Sequence, residues 1–172
     1  RKILSLQEAM DAWINGLRSL VLACCILVMG WTMGKVCEAL NTADYLVSLS
    51  AGILSPELLP AVTFLTAAAI SFSTGSSWAT MSIMVPIVAP MSIKLMGIDA
   101  DAVIQTPIFV STFASILSGA VFGDHCSPIS DTTILSSTAS GADHIDHVKT
   151  QLPYALTTGG IALFFGYIMI GY

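Results

Sequence analysis

Charged side chains are scarce in this chain, and their scarcity excludes several classes of protein. Asp, Glu, Lys and Arg make up only 10% of the 172 residues, and the six Lys and Arg are too few to build a basic surface that follows a phosphate backbone. Nucleic acid is therefore excluded as a partner. The hydrophobic fraction of 55% and the mean hydropathy of +0.82 lie far above those of soluble domains, so the sequence is that of a membrane protein.

Cysteine is also sparse, and its spacing is not that of a cross-linked scaffold. Cys24 and Cys25 are adjacent in an apolar run, Cys37 follows that run, and Cys126 lies in a polar motif. Neither a disulfide framework nor a zinc site has this spacing, so we expect buried thiols. No signal peptide is visible, and so short a chain allows only a handful of spans, which predicts a fragment of a longer membrane protein.

The first part of the chain has the pattern of an amphipathic helix. Apolar residues recur at helical spacing from Leu6 to Leu17, and polar residues occupy the other side. We interpret residues 1–18 as an interfacial helix on the bilayer. Residues 19–34 carry no formal charge and are long enough for one span; three basic residues precede it and only Lys35 closely follows, which predicts a cytoplasmic N-terminus.

The uncharged stretch between Glu57 and Lys94 does not fit a simple membrane crossing. As one helix it would measure about 54 Å, which is too long for one crossing and short for two. Its middle, SFSTGSSWAT (71–80), is rich in side chains that satisfy unwound backbone. We predict a half-helix over Pro56–Ile70, an unwound tip, and a second segment over Trp78–Met96, which its two prolines kink or end early.

The remainder predicts two more spans around a polar motif. A span from Ala102 to about Phe122 contains SILSGAVFG, whose small residues suit close helix packing. The motif GDHCSPISDTT follows, then a short helix, a polar connector over DHIDHVK, and a closing span over 152–171. The predicted fold is all-α: a polytopic membrane helical bundle with two interrupted (broken or re-entrant) helices, in which residues 19–172 form the transmembrane transport domain.

The two polar interruptions share one pattern, in which an apolar helix leads into FSTGSS or FGDHCSP and then into hydroxyl residues. In secondary transporters, broken helices meet near the midplane and offer carbonyl and hydroxyl oxygens to a cation. An acid at bilayer depth costs about 2.5 to 3.5 kcal/mol, so Asp124 and Asp131 there imply a function, such as exchanging a proton for an arriving Na⁺. The alternative is that residues 123–150 form an ordinary exposed loop.

The strings FGDHCSPISDTTILSSTASGADHIDHVKTQLPYAL and FSTGSSWATMSIMVPI closely resemble the C-terminal part of the NhaC-type sodium/proton antiporter family, within the larger ion transporter superfamily. The resemblance covers most of residues 13–172. It implies a multi-pass exchanger of Na⁺ for H⁺ in a bacterial or archaeal inner membrane. The implied partners are the lipid bilayer, Na⁺ and H⁺, a small organic solute in some relatives, and the N-terminal remainder of the transporter or a homo-oligomer. No enzyme activity and no cofactor beyond the transported ions are implied.

The same resemblance and the polar residues suggest a site. We expect Asp124 and Asp131 to bind the cation, Na⁺, and to carry protons. Eight hydroxyls are candidate oxygen ligands or supports: Ser127, Ser130, Thr132 and Thr133 in the motif, and Ser73, Thr74, Ser76 and Ser77 at the other tip. The alternative for these hydroxyls is helix capping and turn bonding, and for Asp131 it is the N-cap of the following helix.

Three histidines carry weaker signals. His125 is a candidate proton relay, although a hydrogen bond to a neighbouring carbonyl is the commoner role. His144 and His147 are spaced as two metal ligands on a helix, but no further ligands are nearby, so we expect a solvated connector.

Three rival functions were weighed against exchange. An intramembrane aspartyl protease needs two carboxylates that converge from separate helices, whereas Asp124 and Asp131 lie on one short segment and AVFGD lacks the Gly-x-Gly-Asp pattern. A Na⁺-coupled transporter of an organic acid or amino acid, by symport or solute exchange, needs only helix N-termini to hold the anion and stays open. An accessory membrane fragment with a purely structural role is the third.

Overall fold

The computed structural model describes residues 5–41, 44–45, 48, 55–97 and 99–170, and all regular structure in these ranges is helical. The helices are α1 Leu6–Ala39, α2 Leu59–Thr74, α3 Ser77–Met96, α4 Ala100–Val103, α5 Pro107–Cys126, α6 Asp131–Ser140 and α7 His144–Ile161. A 3-10 turn, Pro56–Leu58, precedes α2, and a π-helical segment, Ala162–Ile168, continues α7. The all-α prediction is confirmed.

The helix α1 is a single long rod that begins with a capping box. Ser5 Oγ accepts from the Glu8 N–H at 3.2 Å, and the Glu8 carboxylate accepts from the Ser5 N–H at 2.7 Å. The bonds from the Ser5 backbone and side chain lower the pKa of Glu8. The helix runs without a break through the predicted interfacial helix and the predicted span over 19–34, so their division at residue 18 stays a prediction.

One of the four cysteines contradicts its predicted burial. Cys126 is buried as expected, but Cys25 is exposed on α1. Among the described residues α1 packs chiefly against α3, so part of its surface has no protein neighbour there. The side chains of Cys24 and Cys37 lie outside the described set.

Three helical stretches of the described residues are long and apolar enough to cross a membrane: Pro56–Thr74, Ser77–Met96 and Pro107–Cys126. The third begins at Pro107 rather than at the predicted Ala102. Thr106 Oγ1 accepts from the Phe109 N–H at 3.2 Å and caps the helix, and a proline suits the first helical position because its missing N–H has no partner there.

The unwound tip is shorter than the predicted 71–77, because only Gly75 and Ser76 lie outside the helices. Hydroxyl side chains on both sides bond to their own helix: Ser73 Oγ donates to Ala69 O at 2.8 Å, and Thr80 Oγ1 donates to Ser76 O at 3.0 Å. Polar side chains satisfied in this way can stay helical. That α2 and α3 form a broken or re-entrant helix in a bilayer stays a prediction.

The prolines of α3 do not end it early, so that part of the prediction was wrong. The helix passes through Pro86 and Pro90 to Met96, and Gly97, at φ +64°, terminates it. Membrane helices tolerate interior prolines because neighbouring groups satisfy the freed carbonyls.

The predicted polar connector over DHIDHVK is the first part of α7. Asp143 Oδ1 caps this helix by accepting from the Ile145 N–H at 3.0 Å and the Asp146 N–H at 3.1 Å. The helix therefore begins at His144 and contains Pro153, instead of beginning near it. A polar helix start with an Asp cap was mistaken for a connector because polarity was given more weight than capping.

The most extensive packing of the fold is between α2 and α5. A Cβ added at Gly119 would meet Phe64 O, and one added at Gly123 would meet Ala68 O. These two glycines, one turn apart, let the backbones approach closely, which confirms the predicted role of the small residues. Since the paired residues advance together along both helices, α2 and α5 run parallel and their C-terminal ends lie side by side.

Gly123→Ala is expected to lower the free energy of unfolding by about 1 to 3 kcal/mol, because the new methyl group would push α5 away from α2. Gly160→Ala is the matched control, because its Cβ would meet nothing within 4 Å among the described residues. That control is expected to stabilise by about 0.5 to 1 kcal/mol through helix propensity. Denaturation midpoints in detergent check both, and equal effects would contradict the packing.

Candidate functional site

Two short turns meet where α2 and α5 end together. We call them the first turn (75–76) and the second turn (127–130). A Cβ on Gly75 would lie 2.8 Å from Ile129 O, so the two backbones are in direct contact. Ser127 Oγ donates to Phe72 O at 2.7 Å and adds a hydrogen bond between the second turn and α2. The two polar segments, which lie about fifty residues apart in the sequence, are therefore in direct contact.

Asp124 lies in the last turn of α5 and is the buried acid of this region. Only 7% of its surface is exposed. Its Oδ2 accepts from Ser77 Oγ at 3.1 Å, so the carboxylate reaches from α5 to the first residue of α3. Its Oδ1 is buried and finds no hydrogen-bond partner in the described part of the chain. A buried oxygen of this kind is costly and calls for an explanation.

Three helix ends surround this carboxylate. The start of α3 carries partial positive charge, which favours an anionic side chain beside Ser77. The ends of α2 and α5 carry partial negative charge on their last carbonyls, which favours a cation. An anion and a cation can therefore be stabilised side by side here, as a bound ion pair requires.

The hydroxyls of the second turn are largely buried and bonded. Ser127, Ser130 and Thr133 are buried, whereas Thr132 is exposed. Ser130 Oγ lies 2.8 Å from Thr132 Oγ1 and caps α6 by accepting from the Thr133 N–H at 3.5 Å. Capping, the alternative interpretation, therefore applies to Ser130.

The four hydroxyl residues in and beside the first turn differ in their bonding. Ser73 and Thr74 are exposed and donate to carbonyls of α2. Ser76 caps α3 by accepting from the Ala79 N–H at 3.3 Å. Ser77 alone of these four residues contacts an acid, and that acid is Asp124.

Asp131 occupies a different environment from Asp124. It is exposed, and it is the first residue of α6. Ser130, not Asp131, is the N-cap, so the capping alternative for Asp131 was wrong by one position. A carboxylate near the N-terminus of a helix, such as that of Asp131 in α6, is still stabilised by the helix dipole.

The histidines are placed unexpectedly. His125 is exposed, and its backbone carbonyl accepts from Gln151 Nε2 at 2.9 Å. His144 is not on a solvated connector: its Nε2 lies 2.6 Å from Pro128 O and its Nδ1 3.1 Å from Ser137 Oγ. Within the described ranges, no group of three His, Cys, Asp or Glu residues is arranged to hold a metal ion.

Two further residues of the site were not found from the sequence. Ser71 is fully buried, and its Oγ donates to Ala120 O at 2.6 Å across the contact of α2 with α5. Gly75 adopts φ +66° against the second turn. The Gly between hydroxyl residues was a signal for a left-handed helix end, but nothing in the sequence identified its partner.

Gly75→Ala is expected to destabilise far more than the same change at two other left-handed glycines. Gly97 and Gly141 have φ values of +64° and +65°, but a Cβ on either meets nothing within 4 Å among the described residues. The controls should cost about 1 to 2 kcal/mol for the backbone conformation. Gly75→Ala should cost about 1 to 3 kcal/mol more, because its methyl group would separate the turns. Chemical denaturation in detergent checks this, and three equal losses would contradict it.

Comparison with known proteins places the chain among membrane antiporters. The model of the Na⁺/H⁺ antiporter family matches residues 2–172. The chain is 44% identical over 168 residues to an uncharacterised protein of Haemophilus influenzae, a match over 98% of this chain and 30% of that protein. No solved structure matches.

Two relatives have described activities. The arginine/ornithine antiporter ArcD of Halobacterium salinarum is 39% identical over 110 residues, a match over 62% of this chain and 21% of that protein. The Na⁺/H⁺ antiporter NhaC of Alkalihalophilus pseudofirmus is 30% identical over 142 residues, which covers 83% of this chain and 29% of that protein. The chain spans less than a third of the length of these relatives. On the family match over nearly all of its residues, the chain belongs to the Na⁺/H⁺ antiporter family.

Proposed function

We propose that this chain contributes the ion site of a secondary transporter that exchanges Na⁺ for H⁺ by alternating access, with Asp124 as the shared carboxylate. The observation that carries the proposal is the buried Oδ1 of Asp124, which lacks a hydrogen-bond partner among the described residues. Membership of a transporter family supports it.

A buried carboxylate with one unpartnered oxygen can be stabilised in two ways. A proton neutralises it, or a cation pairs with it. The two are mutually exclusive at one small site, so binding of either ion displaces the other. Exchange follows if the site opens to one side of the membrane at a time.

The neighbouring atoms suit a hard cation. Na⁺ prefers oxygen ligands, and Ser77 Oγ lies beside the Asp124 carboxylate at 3.1 Å. The carbonyls at the ends of α2 and α5 and the buried oxygens of Ser127 and Ser130 supply further oxygens. Thr132, Thr133, Ser73, Thr74 and Ser76 are proposed to support the turns that carry these ligands.

Asp131 has a different part in this proposal. Its exposed carboxylate attracts cations from water and raises their local concentration beside the second turn. Asp124 then holds the ion away from bulk water. The exposed and the buried carboxylate therefore have different proposed roles. His125, which is exposed and lies between them in sequence, is the proposed proton relay to the aqueous side.

The whole transporter includes more than this chain in this proposal. The matches cover only 29 to 30% of these relatives, so the rest of the pathway comes from the remainder of the protein or from a second copy. The proposed location is the inner membrane of a bacterium or archaeon, with the N-terminus in the cytoplasm and Na⁺, H⁺ and lipid as partners. The transported ions are the only small molecules that the mechanism needs.

Asp124→Asn tests the shared carboxylate. The amide preserves the size of the side chain but removes the charge, so the KM for Na⁺ is expected to rise about tenfold or more. In the unchanged protein the KM should rise as the pH falls, by up to about tenfold per unit for one competing proton, and the variant should lose this dependence. Exchange is measured in vesicles from cells expressing the complete gene product, with Asp101→Asn, an exposed acid on α4, as the control.

A variant with unchanged KM and unchanged pH dependence would remove Asp124 from the ion site. A melting temperature in detergent equal to that of the unchanged protein would show that loss of exchange is not loss of folding.

Exchange or symport of an organic solute is a second candidate, and the similarity to an arginine/ornithine antiporter favours it. In that case the N-terminus of α3 would hold the solute's carboxylate. Vesicles acidified on one side distinguish the two. Na⁺ alone should dissipate the gradient if the protein exchanges Na⁺ for H⁺, whereas a solute carrier should respond only after an amino acid or organic acid is added.

A further inference from the structure

We propose that His144 is a positioning residue of the ion site, which holds the second turn in the shape that its ligands need. Its Nε2 lies 2.6 Å from Pro128 O, in that turn, and its Nδ1 lies 3.1 Å from Ser137 Oγ, on α6. One partly buried side chain at the start of α7 therefore ties together three successive segments of the chain. The inference rests on the proposed function, because it concerns the same site.

The direction of these bonds follows from their chemistry. A carbonyl oxygen only accepts, so Nε2 of His144 is the donor to Pro128 O. His144 Nδ1 lies 3.1 Å from Ser137 Oγ. The Ser137 hydroxyl donates to Ile134 O at 2.9 Å, so its position is fixed from α6. The ring is thus oriented by α6 while it holds the turn.

Two other segments of the chain hold the second turn. Ile129 O contacts Gly75 of the first turn, and Pro128 O accepts from His144 Nε2. Within the turn, the Ser127 N–H donates to Asp124 O at 3.1 Å, and the Ser130 N–H donates to Ser127 O only at 3.4 Å. The Ile129 N–H also donates to Ser127 Oγ at 3.4 Å. Two of these three bonds are long, so the external contacts largely fix the turn.

The two proposed ligands of this turn flank the residue that His144 binds. Ser127 precedes Pro128, and Ser130 follows two positions later. Without the bond from Nε2, the peptide group between Pro128 and Ile129 loses a restraint, and its rotation would shift Ser130 relative to Asp124, whereas Ser127 stays bonded to Phe72 O. An ion site depends on ligand positions within fractions of an ångström, so its affinity should fall even if the fold survives.

The experiment compares His144→Ala, His144→Gln and His147→Ala in the complete gene product, with KM for Na⁺ and maximal rate per folded transporter measured in vesicles. His144→Ala should raise the KM about three- to tenfold, the effect of losing one hydrogen bond, with little change in maximal rate. His144→Gln should restore a KM within about twofold of the original, because its amide N–H can donate to Pro128 O. His147, one turn further along α7, should be insensitive.

An unchanged KM in His144→Ala would overturn the inference, and so would an equal rise in His144→Ala and His144→Gln. Should the alanine variant fail to fold, His144→Met fills similar space without a donor and carries the same expectation. Asp124→Asn distinguishes failure of the proposed role of His144 from failure of the proposed ion site. If that variant loses exchange while His144→Ala keeps its KM, only the role of His144 fails; if Asp124→Asn keeps normal exchange, the proposed site itself fails.

Discussion

The close parallel approach of α2 and α5 is the constraint on which the other features depend. Glycine at positions 119 and 123 removes the side chains that would hold the helices apart, so backbone meets backbone. The bond from Ser71 Oγ to Ala120 O can form only at this short separation. Because the helices are parallel, their C-terminal ends lie together, and the two polar turns meet although α3, α4 and α5 separate them in the chain.

That arrangement also explains how an acid can be kept in an apolar bundle. Asp124 lies in the last turn of α5 beside the first residue of α3, and its Oδ2 accepts from the Ser77 hydroxyl there. The second oxygen remains unpartnered among the described residues. A site that satisfied both oxygens permanently would gain stability but would have no reason to bind an ion. The missing partner is therefore consistent with a site that alternates between two occupants.

The hydroxyl residues show why polarity alone describes such chains poorly. Ser73 looks from the sequence like part of an unwound segment, yet its hydroxyl donates to Ala69 O within its own helix. A side chain satisfied inside its own helix costs little in an apolar medium and need not mark a break. The real break at Gly75 is marked instead by a left-handed backbone. His144 reaches the second turn from a helix start that polarity had suggested was a connector.

The sequence by itself determined the class of the protein and its all-helical fold, because a chain in lipid must satisfy its backbone within long apolar helices. It also located the polar segments, because an acid at bilayer depth costs free energy and therefore stands out. It did not place the starts of α5 and α7, although Thr106 and Asp143 are residue types that cap helices. It did not separate Asp124 from Asp131, which lie in one short motif. Only the tertiary structure decided that the first is buried beside Ser77 and the second is exposed. Burial is set by helices distant in the chain, and no local pattern reports which of them will lie alongside.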